Sequence, residues 1–149
     1  MNSLIKLIST FFYSGYLPKM PGTFGTLAAL ILYYFLANFF NLTLWQIFFI
    51  TIFLIIISII SSHYSIKLFK SNDPNIVVID EVAGYFVSLL FIPYSIGNLL
   101  CAFVLFRLFD IWKPVFVKKA ESLHGGLGIT LDDVSAGICA NIILRIIIF

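Results

Sequence analysis

The chain has 149 residues, 61% hydrophobic and 11% charged, with a mean hydropathy of +1.08. That composition excludes an ordinary soluble domain and implies an integral membrane protein, long enough for one compact domain over residues 1–149 and surrounded by the lipid bilayer. Nine basic against seven acidic residues leave a net charge of +2, too small to imply a nucleic-acid partner.

Residues 1–19 carry Lys6 inside an apolar stretch and lack a small-residue cleavage pattern, so they read as a retained interfacial segment. The string Lys19-Met20-Pro21-Gly22-Thr23-Phe24-Gly25-Thr26 then leads into a helix. A helix start offers free backbone N–H groups, glycine permits close approach, and Lys19, Thr23 and Thr26 add a charge and two hydroxyls, a set suited to phosphate. The plainer alternative is that Pro21 and Gly22 end the interfacial segment and Thr23 caps the helix.

Thr26–Phe40 and Leu44–Ser61 are the two clearest spans, separated by an uncharged turn at Asn41, Leu42 and Thr43. Asp80-Glu81-Val82-Ala83-Gly84 opens a third, shorter apolar stretch running from about Val82 to Ile92. One acid in a first helical turn complements the macrodipole. Two at a membrane edge point to a divalent cation such as Mg²⁺, which takes hard oxygen ligands, and Gly84 would let another helix come close. Pro93, Tyr94, Ser95, Gly97 and Asn98 mark a turn before a fourth span, Ile96–Phe109.

That span ends in Arg107-Leu108-Phe109-Asp110-Ile111-Trp112-Lys113-Pro114, with Arg107 and Asp110 three apart on one helical face. Either they form an ion pair beside interfacial anchors, or Arg107 and Lys113 hold phosphate while Asp110 holds metal. A polar stretch follows, closing with His124-Gly125-Gly126-Leu127-Gly128-Ile129-Thr130-Leu131-Asp132-Asp133. Three glycines in four positions predict a flexible or left-handed loop, after which Asp132 and Asp133 begin a last helix, Val134–Phe149, interrupted by Asn141 and Arg145. Capping accounts readily for one of those two acids. His124 has at most a supporting role.

Lysines and arginines flank the segments before the first span, after the second and after the fourth, while the turns at 41–43 and 93–98 have none. The positive-inside bias therefore puts the 63–81 and 110–133 connections in the cytoplasm. Asp80, Glu81, Asp110, Asp132 and Asp133 all fall on that face. Negative charge so close to hydrocarbon is costly unless it meets a cation or a substrate. Cys101 and Arg107 have the spacing of a cysteine-phosphatase loop, but the residues between them, Ala-Phe-Val-Leu-Phe, cannot form a phosphate cradle. An Asp-x-Asp pair for aspartyl-phosphate chemistry is also absent.

In their order, KMPGTFGTLAAL, VIDEVAGY, FRLFDIWKP and HGGLGITLDDVSAGI make the chain resemble the bacterial phosphatidylglycerophosphatase A family from about Gly15 to Ala140. The resemblance implies an all-α, inner-membrane, multi-pass bundle with its site facing the cytoplasm. It also implies Mg²⁺-dependent hydrolysis of phosphatidylglycerophosphate to phosphatidylglycerol and phosphate. On that basis Asp80, Glu81, Asp110, Asp132 and Asp133 are candidate catalytic residues, with Asp80, Glu81, Asp110 and Asp133 as metal ligands. Lys19, Thr23, Thr26, Arg107 and Lys113 are candidate phosphate contacts. The chain departs from the family pattern at Phe116, at Glu121-Ser122 and at Thr130, which leaves any role for an acid near 121 open. The rival reading is a non-catalytic, cation-binding bundle or transport component, which would need charges along a path through the bilayer. The first two spans contain none.

Overall fold

The computed structural model describes residues 2–72, 74–114, 123 and 125–148, and all regular structure among them is helical. Among the described residues six α-helices occur: α1 (Asn2–Ser9), α2 (Pro21–Phe39), α3 (Leu44–Phe69), α4 (Ile79–Ser88), α5 (Ile96–Trp112) and α6 (Gly126–Ile148), with a 3₁₀ turn at Ser14–Tyr16. Glu121, His124, Lys118 and Lys119 lie outside the described residues.

The shortest of the last five helices is the central one. Every residue of α4 except Glu81 is buried, and α2, α3, α5 and α6 all pack against it, α6 most extensively. The sequence pattern predicts a span continuing to Ile92, but α4 stops at Ser88. Its ten residues rise about 15 Å, half of a hydrocarbon core of ~30 Å. A helix ending inside an apolar bundle leaves carbonyls without partners. Here α6 supplies the donors: Asn141 Nδ2 donates to the carbonyls of Ser88 and Leu90, both at 3.0 Å, and an Arg145 guanidinium nitrogen donates to Leu90 O at 3.0 Å. Arg145 Nε donates in turn to Asn141 Oδ1 at 2.8 Å. The two residues that interrupt the last apolar run thus terminate a different helix.

Glycines set the distance between α4 and α6. A Cβ on Gly137 would lie 2.2 Å from Gly84 O, and one on Gly84 would lie 2.6 Å from Asp133 O, so neither position accepts a side chain without a shift. The helices run side by side in the same direction, with Asp133 beside Gly84 and Asn141 beside Ser88. Ser58 on α3 hydrogen-bonds Thr130 on α6 at 2.8 Å, both fully buried.

The 40–43 and 89–95 connections lie at one end of the bundle. Thr43 begins α3 with a capping box, its N–H donating to Gln46 Oε1 and its Oγ1 accepting from Gln46 N. Ser95 begins α5 by accepting from Asn98 N at 3.0 Å, so Gly97 and Asn98 belong to the helix rather than to the turn. Trp45, Phe48 and Phe91 cluster nearby with ring centroids 5.4 to 6.0 Å apart, as expected for an interfacial aromatic belt.

Both α2 and α3 are long and apolar enough to cross a membrane, and only 22% and 28% of their most apolar windows are buried, unlike the core helix of a soluble protein. Leu100, Val104 and Leu108 on α5 and Ile138, Ile142 and Ile146 on α6 add exposed apolar stripes at four-residue spacing. Outward-facing apolar surface all around a buried half-helix fits association with lipid.

Candidate active site

At the end opposite the aromatic cluster, the bundle opens into a cleft of about 660 Å³. Four sequence segments remote from one another meet there: the start of α2, the connection before α4 with its first turn, the end of α5, and the first half of α6. Of the candidate residues, Lys19, Thr23, Asp80, Glu81, Arg107, Asp110, Lys113, Asp132 and Asp133 all line it. Thr26 does not. It is fully buried and its hydroxyl donates to Gly22 O at 2.8 Å, one turn back along α2, which leaves it no reach into the cleft.

Pro21 occupies the first turn of α2, where its missing N–H costs nothing, and the helix has no side-chain cap. Its first intrahelical bond runs from Phe24 N to Met20 O, so the amides of Gly22 and Thr23 are first-turn donors at the cleft wall. Gly22 leaves room for the site's side chains: a Cβ there would lie 2.3 Å from Glu81 Oε1 and 3.0 Å from an Arg107 nitrogen and would push them aside.

Asp80 and Glu81 stand in the first turn of α4, as the sequence pattern expects. The last helix departs from expectation. It starts at Gly126 rather than Val134, and of Gly125, Gly126 and Gly128 only Gly125 has a positive φ, +75°. Gly126 is helical because α6 starts tight against α3, where a Cβ would lie 2.2 Å from Ile59 O. Asp132 and Asp133 therefore sit almost two turns inside α6, and N-terminal capping explains neither of them.

The acids divide by partner. Asp110 is ion-paired with Arg107 on its own helix, and Asp132 with Lys113 across from the end of α5. Asp80, Glu81 and Asp133 form a third group in which one oxygen from each lies within 4.8 Å of the others. Glu81 Oε2 and Asp133 Oδ1 are buried and have no hydrogen-bond partner. Both acids stand just before the apolar stretches of their helices. Burial first, then the charge of Asp133, pushes Glu81 up to about 8; burial, then Asp110 and Asp80, raises Asp133 well above the usual carboxylate range.

When ionised, carboxylate oxygens crowded in this way could hold a cation. Two oxygens opposite each other on one Mg²⁺ would be about 4.2 Å apart, so the trio fits such an ion with small side-chain adjustments. Arg107 and Lys113 at the wall, with the first-turn amides of α2, make the remaining space suited to an anion.

Two further cleft residues, Asn72 and Asn75, escape sequence reasoning, because asparagines in a polar connection carry no motif signal. Their only hint is position, a few residues before Asp80-Glu81.

The family model for phosphatidylglycerophosphatase A matches residues 7–148. A protein of Escherichia coli named phosphatidylglycerophosphatase A is 33% identical over 99% of this chain and 85% of its own length. A Haemophilus influenzae protein of the same name is 36% identical over 94% of this chain and 86% of its own. A Bacteroides thetaiotaomicron protein named putative phosphatidylinositol-3-phosphatase is 36% identical over 94% of this chain and 91% of its own. No solved structure gives a significant match.

Proposed function

The chain belongs to the phosphatidylglycerophosphatase A family and is a lipid phosphatase, and from that premise we propose that it hydrolyses phosphatidylglycerophosphate to phosphatidylglycerol and phosphate with Mg²⁺. The observation that carries the reading is the trio Asp80, Glu81 and Asp133, with two buried unpartnered oxygens, opening into a cleft that also holds Arg107 and Lys113.

In this reading Asp80, Glu81 and Asp133 hold Mg²⁺, with Asp110 near enough to Asp133 for a hydrogen bond. When bound, the ion supplies positive charge at the phosphate and lowers the pKa of a coordinated water. Arg107, Lys113, Lys19, the Thr23 hydroxyl and the amides of Gly22 and Thr23 bind and orient the phosphate. Asp110, held in place by Arg107, accepts a proton from the attacking water. The new bond joins that water's oxygen to phosphorus, the bond to the glycerol oxygen breaks, and that oxygen takes a proton from solvent to leave as the hydroxyl of phosphatidylglycerol while Asp110 returns its own proton to solvent. Asp132 keeps Lys113 at the wall. The acyl chains stay in the bilayer beside the apolar flanks, in a multi-pass inner-membrane protein whose cleft faces the cytoplasm.

Purified protein in mixed micelles should release phosphate from phosphatidylglycerophosphate with Mg²⁺ and stop on adding EDTA. Turnover indifferent to chelation sinks the metal assignment. A phosphatidylinositol 3-phosphate arm tests the second reading, which the name of the Bacteroides relative favours.

A further inference from the structure

The charged groups do not exhaust the lining of the cleft. Asn72 and Asn75, in the connection between α3 and α4, also line it, together with the apolar Ile66 on α3. Neither amide side chain has a partner among the described residues, and both are exposed.

The connection that carries them is firmly anchored. Pro74 is buried, and Val77 N donates to its carbonyl at 2.8 Å. Val78 N donates to Ser9 O at the end of α1, at 2.9 Å. Gly15 lies so close to this segment that a Cβ there would be 2.0 Å from Ile76 O, and Gly25 of α2 presses on Val78 in the same way. Two exposed amides in the lining of a phosphate cleft, Asn75 on this anchored segment and Asn72 just before it, can meet the group that joins the phosphate to the lipid. A neutral amide both donates and accepts, so it matches a hydroxyl.

We propose that Asn72 and Asn75 are specificity-determining residues that hydrogen-bond the free hydroxyl of a polyol headgroup, distinguishing a lipid whose phosphomonoester sits on a headgroup glycerol from phosphatidate, whose phosphomonoester sits directly on the diacylated glycerol and which has no free hydroxyl. This inference rests on the cleft's being the lipid-phosphate site described above. A site that hydrogen-bonds a substrate hydroxyl discriminates against the analogue without it, because its amides are then left unsatisfied.

The test measures kcat/KM for phosphatidylglycerophosphate and for phosphatidate of the same acyl composition, with wild type, Asn72→Ala, Asn75→Ala and the double variant. Wild type should prefer phosphatidylglycerophosphate, and the double variant should lower the ratio of the two kcat/KM values about ten-fold, each single variant about three-fold. The single variants keep the inference testable if the double variant folds poorly. An unchanged ratio, or a wild type that does not discriminate, overturns the role of the two asparagines while leaving lipid-phosphate hydrolysis intact. Release of phosphate from neither lipid by wild type overturns the proposed function, and the asparagines' role with it.

Discussion

The two ends of α4 pose the same physical problem and solve it in opposite ways. Each places polar groups in an apolar bundle, and each draws on α6 for help. At the far end every lone pair in question meets a donor: the Ser88 and Leu90 carbonyls take Asn141 and Arg145, and Arg145 is steadied by Asn141. At the near end α6 brings Asp133 to Asp80 and Glu81, which adds negative charge instead of neutralising it. A closed network is architecture; an open one of like charge needs something from outside. Residue type alone does not separate them, since an arginine within the last apolar helix looks as functional as an aspartate at its start.

Substitutions should break this contrast in a definite order. Asp133→Asn is expected to reduce turnover on the order of 10²–10⁴-fold. It should leave the melting temperature of the metal-free protein unchanged or higher, because it removes one of three crowded buried acids. Phosphate-release kinetics and a melting curve in EDTA check both halves, and a large fall in stability would mean that Asp133 is structural. Mg²⁺ at about a hundred times its Kd should stabilise wild type by roughly 2.7 kcal/mol and the Asp133→Asn protein much less. Equal shifts in the two proteins would put the ion elsewhere.

Gly137→Ala should destabilise by about 1–3 kcal/mol, because its Cβ would meet Gly84 O and force α6 away from α4. The same displacement would move Asp133, so activity should fall together with stability. Arg145→Gln should cost about 1–3 kcal/mol through the poorly paired Leu90 carbonyl, while the protein that remains folded keeps most of its turnover. Activity lost in proportion to that of Asp133→Asn would break the distinction between the two ends. Cys101→Ser, at a free cysteine that belongs to neither network and does not line the cleft, should change turnover least. A loss there in folded protein would reopen cysteine chemistry.

Most of the helices can be read from the chain because apolar length and turn chemistry are local. Leu44 and Ile96 begin α3 and α5 where the sequence pattern places them, each behind a Thr or Ser cap. The ends that depart are governed by contacts with other elements. Gly126 and Gly128 read as a loop because glycine is permissive, yet Gly126 is there to let α6 start against Ile59. Val82 to Ile92 reads as one span because its hydropathy continues, yet α4 stops where Asn141 and Arg145 take up its carbonyls. Thr26 reads as a phosphate ligand because it follows Thr23 in a polar string, but almost a turn deeper along α2 its side chain is fully buried and its hydroxyl is spent on Gly22 O.

By itself, the sequence determined that this is an apolar helical protein whose scarce charges gather at one end, because span lengths and the lysine and arginine bias depend only on local composition. It also determined which motifs carry the family resemblance. Only the tertiary structure decided how the acids divide, with Asp110 held by Arg107, Asp132 held by Lys113, and Asp80, Glu81 and Asp133 left together. That division depends on the close approach of α4 and α6 across Gly84 and Gly137. Residues some fifty positions apart become neighbours there through backbone contact, which hydropathy does not encode.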